Sequence, residues 1–433
     1  MCTSLAVRLD TNGKIPIKRF RFIPFSKRQI VEMCLQDGLQ PGQKKPFQHL
    51  SFMLGSIFHF EFHRIIESMK EAYESVDPDS DTRQVQPATI DTPHSGEDFV
   101  ELLTKLLEKA NYERVTESDL NQALTASSLF KIRLHVDFND FSEVLLFCRG
   151  ESTKEETIRS GFGLIKKNIQ FTNYERVVVY LRLKDAEDQP EGSNSSIEEV
   201  ASSKPGATLL KLFRNVPKAD LEMLFPNTRV RMRTIDKLFI GIPAIVSGGI
   251  VLTTKLGASL VLVGSLLGFW LGFSSQPVEL NKTALMALLA GVGALGGYLW
   301  KQFNSFKNRK LQFMQTLTQN LYFKNLDNNA GVFHRLANDA EEEECKEAIL
   351  AYYLLLSGKE WLTRTELDHK IEDWLLKGWN CEVDFDIDDA LGKLLELNLL
   401  EKKGDQLAAI PLEDAINNLD RHWDDYFLPI AKS

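Results

Sequence analysis

Three apolar runs follow one another between residues 238 and 300, and no other feature constrains this chain as strongly. Leu238–Thr254 carries no charge. Lys255 interrupts, and Leu256–Phe273 is again uncharged. A short polar stretch, Ser274–Lys282, holds Pro277 and Glu279, and Thr283–Trp300 then runs without a charged residue. Each run approaches the ~20 apolar residues that a membrane helix needs. One such run also suits a buried core helix. Three in succession, rich in Gly, Ala, Leu and Val, predict membrane insertion.

The flanks set the number of crossings. Arg229, Arg231, Arg233 and Lys237 precede the block, and Lys301, Lys307, Arg309 and Lys310 follow it. Basic residues near span ends favour the cytoplasmic side. Basic flanks at both ends therefore call for an even number of crossings. The expectation is a two-helix hairpin in a lipid bilayer, with one helix ending near Phe273 and a return helix at 283–300. Both termini then lie on the cytoplasmic side. Leu238–Thr254, with Pro243 and the Gly248–Gly249 pair, is re-entrant, interfacial or part of a bent first helix. A tight hairpin turning at Thr253–Gly257 is the alternative. Gly264, Gly268 and Gly272, and Gly293 and Gly297 on the return helix, stand four apart. That spacing lets helices pack closely within the hairpin or in a homo-oligomer. The runs hold no Asp, Glu, Arg or His, which speaks against a transporter. An oligomeric channel is the weaker reading.

Outside the block the chain has ordinary globular composition. It has 433 residues, 26% of them charged, and a net charge of -9, which argues against a chain built wholly around nucleic acid. The five cysteines (Cys2, Cys34, Cys148, Cys345, Cys381) are far apart and form no CxxC pair. Reduced thiols are expected rather than disulfides or a zinc knuckle. Met1–Lys14 shows neither a secretory signal nor an organelle leader. The expected location is a bacterial plasma or thylakoid membrane, with an organellar membrane as the alternative.

Residues 15–184 read as a helical domain with a small β-rich module. Phe47–Tyr73 has helical spacing of apolar residues. His59, His63 and Glu67 share a face there and form a conceivable metal site, weighed against histidines on an aromatic packing face. Phe99–Ala110 is a second helix. Lys131–Asp137, Glu143–Arg149 and Ile169–Lys184 are strand candidates. Arg149–Gly150–Glu151 reads as a turn with a surface ion pair, with anion binding as the alternative. Residues 185–208 form a flexible linker, and 209–237 a basic pre-membrane segment. Residues 301–337 read as a post-membrane helical segment.

Residues 338–433 form an acidic domain. They hold 24 acidic and 10 basic residues, a net of -14. Lys346–Leu356 is an apolar helix after the acidic run Glu341–Glu344. Thr363, in Thr363-Arg364-Thr365-Glu366, predicts a capping box. A helix over Asp388–Leu399, a hairpin over 399–410 and a helix from Leu412 to about Tyr426 complete the order of a winged helix. Its recognition helix offers Lys393 among Asp388, Asp389 and Glu396, too little base for phosphate binding. No nucleic acid is expected, and docking of a protein partner is. Asp384, Asp386, Asp388 and Asp389 fail the calcium-loop pattern, because Asp389 stands where Gly is needed and Leu395 where Glu is needed. Asp388 is read as a helix cap.

Leu212–Arg233 (LFRNVPKADLEMLFPNTRVRMR), Leu321–Ala330 (LYFKNLDNNA) and Cys345–Leu356 (CKEAILAYYLLL) resemble the transmembrane protein 143-like family. The resemblance runs from about Arg19 to Asp425. It implies a two-span membrane protein whose domain has no known function, here a bacterial, cyanobacterial-type member. It carries over no catalytic residue.

No Walker loop, GxSxG, HExxH or nucleotide-binding glycine motif is present, so no catalytic residue and no cofactor is expected. Lys218, Asp220 and Glu222, and Asn325, Asp327, Asn328 and Asn329, are polar groups suited to capping helices and fixing a turn. The expected fold class is an α+β multidomain membrane protein: a helical N-terminal region with a β-rich module, a transmembrane hairpin and a C-terminal winged-helix-like domain. The expected function is a membrane-anchored interaction or scaffold protein with cytoplasm-facing domains. The alternative is a membrane-associated enzyme or lipid-handling protein using the β-rich module.

Overall fold

A computed structural model describes residues 19–74, 76–78, 96–116, 133–136, 138–160, 165–184, 208–226, 229–231, 264–265, 270–271 and 282–426. In chain order the elements are β1 (Arg19–Phe20), α1 (Lys27–Gln36), α2 (Pro41–Glu74), α3 (Gly96–Lys109), β2 (Glu113–Arg114), β3 (Arg133–His135), β4 (Phe141–Ser160) and β5 (Ile165–Leu183). There follow β6 (Thr208–Pro217), a 3-10 helix (Lys218–Leu224), β7 (Arg229–Arg231), α4 (Lys282–Lys324), β8 (Asn325–Asn328), α5 (Ala330–Gly358), β9 (Leu362–Thr363) and α6 (Arg364–Trp379). The chain closes with β10 (Glu382–Val383), α7 (Ile387–Glu396), β11 (Leu400–Lys403), β12 (Gln406–Ala409) and α8 (Leu412–Asp425).

Two compact units result. The first combines 1–126, 137–221 and 324–433, and the second combines 127–136 and 222–323. The axle of the first unit is α5. From Glu343 to Leu355 every residue of this helix is buried. A helix apolar on all sides must be surrounded, and α1, α2, α3, α6 and α7 all pack on it. Its run of Ala, Ile, Leu and Tyr between 348 and 355 supplies that core.

A five-stranded antiparallel sheet, in the order β2-β4-β5-β6-β8, completes this unit. One face of it joins the helical core through Leu145, Phe147, Val178, Tyr180, Leu210 and Leu212. On β5 the intervening Val177, Val179 and Leu181 are buried too. Burial on both faces explains the unbroken Val177–Leu181 run. At the C-terminal side, β11-β12-β9 form a small sheet beside α5, α6 and α7. Gly404, at φ +63, opens the two-residue turn of its hairpin.

The second unit contains the antiparallel pair β3–β7 and the 43-residue helix α4. Here the expectation of a membrane protein is corrected. Among the described residues no helix is long and apolar enough to cross a membrane. The run 283–300 is not a self-contained span. It is the first part of α4, which opens on Lys282 and continues unbroken through Lys301, Lys307, Arg309 and Lys310. The fold class is accordingly mixed α/β, built on an antiparallel sheet. The transmembrane hairpin and the integral membrane location are withdrawn with it. The run 238–254, most of 256–273, the linker 185–207, and Gly268, Gly272, Arg233 and Lys237 lie outside the described residues. Arg229 and Arg231 are strand residues, paired with His135 and Arg133. Among the described residues, a Cβ added at Gly264, Gly293 or Gly297 would meet nothing within 4 Å.

Candidate functional site

Strand register on the core face of the sheet leads to an unusual set of residues. One tier across β4, β5 and β6 is Leu145, Tyr180 and Leu210, and the next is Phe147, Val178 and Leu212. The third tier is Arg149, Arg176 and Arg214. Like charges directly opposite one another destabilise a sheet, so three arginines abreast require compensation.

Some of it comes from neighbouring elements. Arg149 is not in a turn, as its sequence predicts, because β4 continues through Gly150 at φ +75 as far as Ser160. The Arg149 side chain is 11% exposed, and its Nη1 donates to the Ala110 carbonyl at 2.9 Å. Its guanidinium lies over the rings of Phe22 at 4.5 Å and Tyr112 at 5.3 Å, and 3.9 Å from the Glu343 carboxylate. From α5, Arg335, Asp339, Glu343 and Glu347 stand four residues apart and so share a face. Arg335 Nη1 is 3.7 Å from Asp327 Oδ2 at the end of β8. Tyr112 follows α3 and is buried. Burial pushes its hydroxyl up to about 12, with Arg149, Arg176 and Arg335 pulling it down and Asp339 pushing it further up. Four buried polar atoms here have no hydrogen-bond partner among the described residues: Tyr112 Oη, Arg176 Nη1, Arg335 Nε and Asp339 Oδ2.

The acidic run before the α5 core is partly enclosed, with Glu341 and Glu342 half-buried. Glu343, Glu344 and Glu347 are buried. The backbone N–H of Ile23 donates to Glu343 at 3.1 Å, while Lys346 donates to the Ile23 carbonyl at 2.8 Å and to Glu343 at 2.9 Å. Glu344 binds Lys109, and Glu347 accepts from Asn111 at 3.1 Å. Burial holds the carboxyl of Glu347 well above the ordinary carboxylate value, with Glu343 adding to the shift. These groups clip the N-terminal segment and the end of α3 to the axle helix.

A family described as a protein of unknown function (DUF3754) matches residues 174–331. That stretch is under half of the chain. It includes Arg176, Arg214 and Asp327 and stops short of Arg335 and Asp339. No solved structure matches the chain.

The residues singled out in the sequence have mixed fates. His59 and His63 are exposed, and His59 Nδ1 meets Glu341 at 2.9 Å. Glu67 is held by Lys70 at 2.7 Å. Among the described residues no group of three or more potential ligands could hold a metal ion. These histidines also sit off the packing face of α2, which is formed by Phe47, Leu50, Leu54, Phe58 and Phe62. Asn325–Asn328 is β8, an edge strand on Lys211–Phe213. Asn329, at φ 47, exchanges hydrogen bonds with Leu210 through its backbone N–H (2.7 Å) and its side-chain oxygen (3.3 Å). A Cβ on Gly331 would fall 2.5 Å from Asp327 Oδ1, so the strand-to-helix corner needs glycine there. Lys218, Asp220 and Glu222 lie in the 3-10 helix after β6, with Asp220 buried. Asp386, not Asp388, occupies the cap position of α7, and Asp388 binds Arg364.

The arginine tier escaped sequence reading because its members are 27 and 38 residues apart in the chain (149 to 176, 176 to 214). Alternation along each strand was the available signal. Arg149, Arg176 and Arg214 each stand two residues beyond a core-facing apolar position.

Proposed function

We propose that this protein is a non-catalytic interaction module whose C-terminal region docks a basic protein partner through the outer face of α8. The observation that carries this reading is the charge of that face. Glu413, Asp414, Asp420, Asp424 and Asp425 are all exposed on the helix, while Leu412, Ala415 and Leu419 face inward. Such a face steers basic partners and repels nucleic acid.

Helix α7, read from sequence as a recognition helix, supports the same exclusion. Lys393, its one basic residue, is 13% exposed, with its ammonium 2.6 Å from Glu61 of α2 and 3.1 Å from Glu396. It is consumed inside the molecule and is unable to neutralise a phosphate backbone.

In-cell crosslinking of wild type and the triple variant Asp414→Lys/Asp420→Lys/Asp424→Lys tests the reading. Crosslinked partners should disappear in the variant while its melting temperature stays within a few degrees of wild type. An unchanged crosslinking pattern in a folded variant would refute docking through this face.

A further inference from the structure

We infer that the arginine tier is a binding site for inorganic phosphate in its monohydrogen form. The site lies wholly within the first unit, where the sheet's core face meets α5 and the end of α3.

Three observations carry this. First, Arg149, Arg176 and Arg214 are cross-strand neighbours in direct register, with Arg335 arriving from α5. Arg149 lies 3.9 Å from the Glu343 carboxylate and Arg335 3.7 Å from that of Asp327, while Arg214 is exposed at the outer end of the tier. Guanidinium forks match tetrahedral oxyanions, and clustered ones favour a dianion. Second, Arg149 is already spent. It holds Ala110, Phe22, Tyr112 and Glu343 in place. It acts as a positioning residue, framing donors that are not spent. Third, those donors are identifiable atom by atom. Arg176 Nη1, Arg335 Nε and Tyr112 Oη are buried without a partner among the described residues. Tyr112 is 4% exposed, so water satisfies its hydroxyl poorly. Leaving such groups unpaired costs about 1–3 kcal/mol each.

Asp339 decides which oxyanion fits. Its Oδ2 is buried and also lacks a partner, yet it accompanies three hydrogen-bond donors. An ionised carboxylate accepts only, so the ligand must bring a proton as well as acceptor oxygens. Monohydrogen phosphate at neutral pH does so: three oxygens take the donors, and its P–OH donates to Asp339. Sulfate and a phosphomonoester dianion carry no such proton, and each would set an oxygen lone pair against the carboxylate.

Titration calorimetry on the full chain at pH 7.5 tests this, with sodium phosphate, sodium sulfate and phenyl phosphate as separate probes. Phosphate should bind saturably, at least about tenfold more tightly than either other anion. Arg176→Gln should weaken phosphate by about tenfold or more. Asp339→Asn keeps the shape of the side chain and gains an N–H donor, so it should bring phosphate and sulfate to within about threefold of each other. Circular dichroism and melting curves establish that both variants fold. Should Arg176→Gln not fold, the selectivity change in Asp339→Asn decides by itself. Absence of phosphate binding by the wild type overturns the proposal. So does equal binding of phosphate and sulfate by the wild type, or phosphate affinity indifferent to both substitutions.

Discussion

Glu347 shows how far burial can set the behaviour of one residue. It lies on the buried stretch of α5, bound to Asn111 and close to Glu343, and its carboxyl is raised well above the ordinary value. An acid whose native pKa exceeds its unfolded one binds more protons when folded. Stability therefore falls as pH rises from the unfolded pKa towards the native one. Glu347→Gln keeps the acceptor for Asn111 and removes the titration. Urea unfolding at pH 5 and pH 8 should show wild type losing stability across that interval and the variant losing less, so that the variant is the more stable at pH 8. Parallel losses in both proteins would show that Glu347 does not govern the slope. Nothing at this scale was legible in advance. In the sequence Glu341–Glu344 is an acidic run before an apolar helix and nothing more, because which faces of a helix are covered depends on what packs there. Partners more than 190 residues away, Ile23 and Arg149 at Glu343, Lys109 at Glu344 and Asn111 at Glu347, join the local Lys346 in making burial tolerable.

At the scale of elements, local chemistry was more readable. The Thr363 box is present as expected: Thr363 Oγ1 accepts from the Glu366 N–H at 3.4 Å, and Glu366 accepts from the Thr363 N–H at 2.8 Å. An equivalent box at Ser26 and Gln29 opens α1, and its S-x-x-Q spacing was there to be found. Thr363→Ala removes one half of its box and should cost about 1 kcal/mol of stability, read as a lower urea midpoint with unchanged slope. The hairpin at Leu400–Ala409 stands where alternation and Gly404 place it. What failed is extent. β4 runs 20 residues and β5 19, because their long mutual pairing carries β4 past Gly150, where the residue type alone marks a turn. The same holds for α4, whose apolar beginning and basic continuation are one helix rather than a span and its flank.

The whole molecule is arranged differently from its sequence. Linear reading places boundaries where composition shifts, at 185–208 and near 338. The first unit instead gathers three separate stretches of chain around α5, and Thr208–Pro217 is a central strand of the sheet rather than a lead-in to the next segment. Composition cannot reveal this, since it carries no information on which distant stretches pair. One consequence is that residues 338–433 are not a free-standing domain. Expressed alone, that fragment would expose the faces of α5 that α1, α2 and α3 cover. It should show broad, poorly dispersed amide signals and no cooperative melt. A sharp melting transition in the fragment would contradict this account.

The pairing of Ile23 with Glu343 spans 320 residues of chain. During synthesis at about 5–20 residues per second, the N-terminal helices emerge tens of seconds before the helix that must bury them. Throughout that interval the packing face of α2, with Phe47, Phe58 and Phe62, faces water or a chaperone. For this chain the hazardous moment is birth rather than heat. Substitutions that make α2 more adhesive should reduce the yield of folded protein more than they reduce the stability of what does fold.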